Sequence, residues 1–377
     1  MNTVTRPAPV PSGGADLTRR GVGTGGALAT LWRSAAFLRW LPRAALLLGL
    51  LLPQMLGTYQ LTVLTLALVY VVALASLVVL TGYVGQVSLC QASFMGLGAF
   101  LCGALMGHFA LSFWVAAPLC IAIVFIAGVA TGLPALRLRG LTLAIVTLSL
   151  ALLADNFLFQ GVGWLTNNGN HWRIARPVLF GVSLDDPGAL FRVVLIVVLV
   201  TLLAVVRLRE GRTGKSWYAM RDAEIAAATS GVPIVSMKLL GFGIAAALAA
   251  TAGVLYALAV GSVSPEPFTF VTSIQLLAIA VIAGIRSLPG AIVGALFFII
   301  LPQFLLQFPA LVPLTSLILG AGLILQMLFA PQGMGGMLDD LQKRLSRQFK
   351  GLAASPDDSS ESRAPTRGKK GDRHASM

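Results

Sequence analysis

Apolar residues run along this chain in long, almost unbroken stretches with short polar punctuation between them. No Asp, Glu, Lys or Arg occurs from Ala44 to Leu136, nor from Ser287 to Leu338. One membrane span takes about 20 apolar residues, so stretches of this length hold several spans in succession. The pattern predicts spans at 44–60, 61–81, 90–108, 112–131, 141–159, 190–206, 239–260, 270–285, 290–307 and 312–330. Helices are required because a backbone in lipid must satisfy its own hydrogen bonds. The runs are also too continuous for the alternating segments of a β-barrel. The expected fold class is all-α: a polytopic membrane protein of about ten transmembrane helices.

Composition sharpens this picture. Of the 377 residues 57% are hydrophobic and 11% charged, against about 25% charged in a soluble domain. The formal net charge of +13 would suggest nucleic acid in a soluble protein. Here the basic residues sit at span ends and tails, where they set topology and meet anionic lipid. With the N-terminus in the cytoplasm, 24 of the 27 Lys and Arg residues fall on the inner side. Only Arg173, Arg176 and Arg192 fall outside. Both termini are therefore expected to be cytoplasmic.

The chain divides into a basic N-terminal segment (1–43), a span domain (44–335) with a loop at 207–238 expected to be cytoplasmic, and a basic tail (336–377). Residues 1–30 and 351–377 have the Gly, Ser, Pro and charge content of disordered segments. No removable leader is expected, because the first apolar run starts only near Ala44. A second long connection, at about 160–189, is expected outside and carries Asn167, Asn168, Asn170, Trp172, Asp185 and Asp186.

Few residues offer chemistry. Cys90, Cys102 and Cys120 lie in apolar segments without a C-x-x-C spacing, and read as small core residues. His108, His171 and His374 are scattered, so no metal site is expected. Gly103 with Gly107, and Gly290 with Gly294, have the spacing that lets helices approach closely in lipid. Asp155 is the one acid inside a predicted span. Such an acid is a functional candidate by default, but Asn156 and Gln160 beside it also fit a position at the outer headgroup level. Gly211-Arg212-Thr213-Gly214-Lys215-Ser216 ends like a phosphate-binding loop. The motif needs glycine where Arg209 stands and a preceding strand, and has neither. No nucleotide site is expected in this chain.

Two stretches are more specific. Arg221-Asp222-Ala223-Glu224-Ile225-Ala226-Ala227-Ala228-Thr229-Ser230-Gly231 reads as one short helix. Acids near its start favour the helix dipole, Gly231 suits a left-handed stop, and Pro233 prevents continuation. An exposed alanine-rich helix this short buries little by itself and calls for a partner groove. In the second stretch, Gly82 and Gly85 interrupt an apolar run beside Gln86, Ser88, Gln91 and Ser93. Broken backbone at membrane depth is tolerated where it is buried in protein or lines a cavity, and half-helix ends can face anionic solute groups. A tight turn at the inner face fits the same residues.

The first stretch resembles the coupling helix of ABC importer permeases, with Ala226, Ala227 and Gly231 in the matching positions. The acid stands at Glu224, one residue earlier than in the general pattern. The Arg-Asp-x-Glu-Ile-Ala-Ala form resembles the branched-chain amino acid permease family. Gly82-Tyr83-Val84-Gly85-Gln86-Val87-Ser88-Leu89 resembles that family's GY-x-GQ-x-SL segment, with Cys90-Gln91 where Gly-His is usual. Leu136-Arg137-Leu138-Arg139-Gly140, Ser264-Pro265-Glu266-Pro267-Phe268 and Gly284-Ile285-Arg286-Ser287-Leu288-Pro289-Gly290 resemble further segments in the same order. Leu152 stands where a glutamate is common, and Ala283 and Arg286 replace glycines.

The resemblance implies a permease subunit in a bacterial-type inner membrane, working with a second related permease, two ATPase subunits and an extracytoplasmic binding protein. ATP would be bound by the ATPase partners, leaving this chain without a cofactor and without enzyme activity. Arg221, Asp222, Glu224, Ala226, Ala227 and Gly231 would form the coupling helix. Gly82, Gly85, Gln86, Ser88, Gln91, Ser93, Asp155 and Asn156 are candidates to line the pathway. Cargo would be branched-chain or related amino acids, or urea or amides as in relatives. An ion-gradient-driven transporter is the rival reading. It needs buried coupling charges, which are almost missing here. A membrane enzyme would need a cluster of titratable groups, and none is present.

Overall fold

The computed structural model describes residues 49, 51–138, 140–167, 171–179 and 182–305. The expected span at 312–330, both terminal segments, Arg139, Asn168 and Asn170 lie outside the described residues.

The described chain is mostly helical. Six helices are long and apolar enough to cross a membrane. They are α1 (Thr58–Val84), α2 (Gln91–Phe109), α3 (Phe113–Ala135), α4 (Leu141–Gly161), α5 (Pro187–Glu210) and α8 (Ile234–Val260). Between α5 and α8 lie the short helices α6 (Arg212–Asp222) and α7 (Glu224–Thr229). Two shorter apolar helices follow, α9 (Phe270–Gly284) and α10 (Leu288–Leu305). Several boundaries differ from the hydropathy pattern. Helix α1 starts at Thr58 rather than residue 61, after a break at Leu56 and Gly57, and runs on to Val84. Its last turns, Val78–Val84, widen to the π type, as do Ala154–Leu158 in α4. Apolarity marks membrane depth, not where a helix stops.

The expected all-helical fold is modified on one face by two small ribbons. Strand β1 (Trp172–Arg173) pairs antiparallel with β4 (Ser262–Val263), and β2 (Val178–Leu179) pairs with β3 (Val182–Ser183). The first of these ties the 160–189 connection to the end of α8. Arg176 adds Nη2 to the carbonyl of Ala259 at 2.9 Å.

Helix α8 is the central element, packed against α1, α2 and α3. Its buried residues are mostly Ala and Gly, so neighbours reach backbone distance. At Gly253 an added Cβ would collide with the carbonyl of Met95 on α2, and one at Gly98 would meet Ala250. Such contacts replace the hydrophobic drive that lipid removes. Gly290 and Gly294 serve the α9–α10 approach around Ala283. Gly103 and Gly107 do something else: the indole of Trp172, from the β1 loop, lies over both. Cys90, Cys102 and Cys120 are buried and make no disulfide.

The element ends define two faces. On one, Gly82 at the end of α1 meets Ile285 after α9, Val84 meets Gly241 early in α8, and Gly132 late in α3 meets Leu239. This face also carries α6 and α7, with Arg207, Arg209, Arg212, Lys215, Arg221, Lys238 and Arg286. The opposite face carries the ribbons and Arg173, Arg176 and Arg192.

Candidate functional site

On the basic face, residues 221–231 do not form the single helix expected. Ala223 adopts φ −153° and ψ 85°, which breaks the chain into α6 and α7. Arg221 and Asp222 therefore close α6 and do not share a helix with Glu224, Ala226 and Ala227. Tertiary anchoring overrides the local alanine preference. Arg221 donates from its guanidinium to the carbonyl of Gly82 and lies against Gly85, whose φ is +80°. A side chain at that glycine would be strained and would strike the Arg221 stem. Asp222 stays exposed, 3.7 Å from Arg221.

Three further anchors hold this loop, and sequence reading missed all of them. Trp217 is fully buried and donates Nε1–H to the carbonyl of Met237 at 2.9 Å. Tyr218 packs on Tyr83 with ring centroids 5.5 Å apart, while Arg209 lies over Tyr83 and Arg221 over Tyr218. Burial pushes the Tyr218 phenol above its ordinary pKa, and the nearby Arg209 charge partly offsets this. Lys238, only 2% exposed, pairs with Glu224 at 2.8 Å. A lone lysine opening an apolar helix was the available signal for that pair.

Helix α7 is thus held from behind. Ala227 is buried against the bundle, while Ala226, Ala228 and Thr229 are exposed and Ile225 is 83% exposed. Gly231 takes φ +83°, and the amides of Gly231 and Val232 close the helix on the carbonyls of Ala228 and Ala227. The result is a rigid apolar knob on a basic surface.

The glycine-rich segment separates into two places. Gly82 and Gly85 form the turn under Arg221. From there residues 86–90 climb back into the bundle without helix. Two independent rulers give the climb. Along α8, Val84 meets Gly241 whereas Met95 meets Gly253. Along α9, Gly82 meets Ile285 whereas Ala92 is bonded to Ser273. Each pair of contacts is twelve residues apart, so α2 begins about 15 Å above the α1 end. That is roughly half the hydrocarbon thickness.

At this depth the free amides find hydroxyl partners. Leu89 donates to Thr147 Oγ1 of α4 at 3.0 Å, and Ala92 to Ser273 Oγ of α9 at 3.1 Å. Ser88 stands 3.1 Å from Cys90 Sγ. Gln91 and Ser93 are 1% and 6% exposed. Among the described residues both polar atoms of Gln91 and the Ser93 hydroxyl lack a hydrogen-bond partner. Gln86 is half-buried lower on the leg. Asp155 is buried farther up, its Oδ2 accepting from the amide of Phe270 at 3.4 Å. Asn156 is exposed and donates to the carbonyl of Leu152 at 2.9 Å, away from the others. Among the described residues no three His, Cys, Asp or Glu side chains share a possible metal site.

A profile of the family described as branched-chain amino acid transport system, permease component, matches residues 59–327. The chain belongs to that permease family. Two relatives are high-affinity branched-chain amino acid transport system permease proteins LivM. That of Salmonella typhimurium is 30% identical over 334 residues, covering 82% of this chain and 78% of its own. That of Escherichia coli is 31% identical over 314 residues, covering 77% and 73%. No solved structure matches the permease. With six long apolar helices among its described residues, the permease is a multi-pass inner-membrane transport protein.

Proposed function

We propose that this permease is the membrane-spanning subunit of an ABC importer for branched-chain or related amino acids. A second related permease would complete the translocation unit. Two separate ATPase subunits would bind and hydrolyse ATP, and an extracytoplasmic binding protein would deliver the solute. The basic face is cytoplasmic in this reading, as the uneven split of Lys and Arg supports. Both termini are then cytoplasmic. Segment 1–43 and tail 336–377 flank a span domain of ten helices, of which that at 312–330 lies outside the described residues and that at 44–60 is described in part.

The observation that carries the reading is α7. Its inner side is clamped by Ala227, the Glu224–Lys238 pair and the adjoining Arg221–Gly82 bond. Its outer side offers Ile225 and small residues to a groove. A knob fixed to helix ends on one side and free on the other suits force transfer from a partner. Closure of the ATPase pair would move α7, and with it the ends of α1 and α8. Ile225→Asp is expected to abolish co-purification with the ATPase subunits and ATP-driven leucine uptake in proteoliposomes. Retention of both would overturn the reading.

A further inference from the structure

We propose that the start of α2 and Asp155 together form a binding site for an α-amino acid zwitterion in the middle of the bundle. The carboxylate would lie at the α2 start, and the ammonium at Asp155. The inference deepens the permease reading and rests on it.

The first support is the position of the helix start. Residues 86–90 bring the amino end of a 19-residue helix to about half the depth of the hydrocarbon layer. Amides and dipole there favour a negative group. The second support is independent. Five buried side-chain atoms lack a partner among the described residues, and three of them belong to Gln91 and Ser93. An unpaired buried polar atom costs free energy, and clustering of that cost at one helix start calls for a ligand that repays it. Gln91 is the first residue of α2, so its carboxamide stands at the same end as the amides.

Geometry then links the two poles. Ser273 holds the amide of Ala92, and Asp155 holds the amide of Phe270. Both contacts are on α9, three residues or about 4.5 Å of helix rise apart. The two ionic groups of an α-amino acid are carried on a single carbon, which matches poles one helical turn apart. Among the described residues Asp155 has no Lys or Arg within ion-pair distance, so its charge is open to a ligand cation. A buried acid in a span calls for such a partner. Hydroxyls of Thr147 and Ser273 can yield the amides they now hold, which keeps binding reversible. Toward the opposite face the site is closed by Phe100, stacked on Phe159 at 5.1 Å and edge-on to Phe268 at 6.1 Å.

The test uses the full-length chain in lipid nanodiscs, with tritiated L-leucine as probe and scintillation proximity as readout. L-Leucinamide lacks the carboxylate, isocaproate lacks the ammonium, and urea lacks both. On the wild-type chain L-leucine should compete best, each one-pole analogue roughly tenfold or more worse, and urea not at all. Asp155→Asn should weaken L-leucine but leave isocaproate unchanged. Gln91→Leu and Ser93→Ala should weaken L-leucine and isocaproate but leave L-leucinamide unchanged. The wild-type series needs no substitution, so a misfolded variant cannot hide the answer. The proposal falls if wild-type chain binds no L-leucine, if both analogues compete equally with it, or if every variant weakens all ligands alike. Leucine uptake by the complete transporter, read in parallel, separates the failures. Uptake without this binding pattern overturns the site alone, whereas loss of ATP-driven uptake overturns the permease reading.

Discussion

The basic face and the start of α2 treat polar groups in opposite ways. On the basic face the groups that hold the loop are matched, Arg221 to the Gly82 carbonyl, Trp217 to that of Met237 and Glu224 to Lys238, while among the described residues Thr81 Oγ1 and Tyr83 Oη at the α1 end are not. At the start of α2, the side chains of Gln91 and Ser93 are buried without hydrogen-bond partners among the described residues. A surface that must pass on a push needs committed bonds, because slack would absorb the motion. A place that must hold a solute and release it needs uncommitted ones. The fold thus separates stiffness from availability within one polypeptide.

This contrast can be broken most decisively at Glu224. Glu224→Leu would leave the Lys238 ammonium buried without its carboxylate, at a cost of about 2–4 kcal/mol. The figure lies below that for a fully enclosed pair because the Glu224 side chain is 27% exposed. A fall in the melting temperature of the detergent-solubilised protein, with weaker retention of ATPase subunits, is the expected result. Unchanged melting would show that the pair does not clamp α7. The opposite sign is expected at the start of α2. Gln91→Leu keeps the volume and removes two unpaired polar atoms, so it should raise stability by about 1 kcal/mol while impairing solute binding. A loss of stability there would mean that Gln91 is satisfied by protein after all.

The smallest effect concerns Glu266, on the opposite face. A hydrogen bond from Ser264 holds its carboxyl below the usual value of 4.5, with help from its own backbone amide and His171. A depressed folded-state pKa contributes stability that is present above the unfolded value. That stability disappears as pH falls through the lower folded value. Ser264→Ala should only slightly lessen the fall in melting temperature as pH drops below 4.5, because Glu266 is exposed and screened. A steep change would place Glu266 in a tighter network than its contacts describe.

Much of the scaffold was legible in residue order. Membrane spans follow from apolar run length, and the left-handed stop at Gly231 from its residue type and Pro233. What stayed hidden depends on contacts between distant segments. The break at Ala223 comes from anchors at Gly82 and Met237, not from its own propensity. Gly103 and Gly107 look like a helix-packing pair, yet Trp172 from another loop covers them. The depth of α2 could not be read from hydropathy, because 86–90 is as apolar as the helix it precedes. Thr147 and Ser273 look like ordinary span hydroxyls until the fold brings Leu89 and Ala92 to them.

The guanidinium of Arg221 grips the main chain at Gly82, only nine residues before Gln91. A shift of the short helices α6 and α7 would therefore tug almost directly on the leading edge of α2, with no need to travel through the length of a whole span. Engine and cargo would be joined by a tether rather than by a gear train.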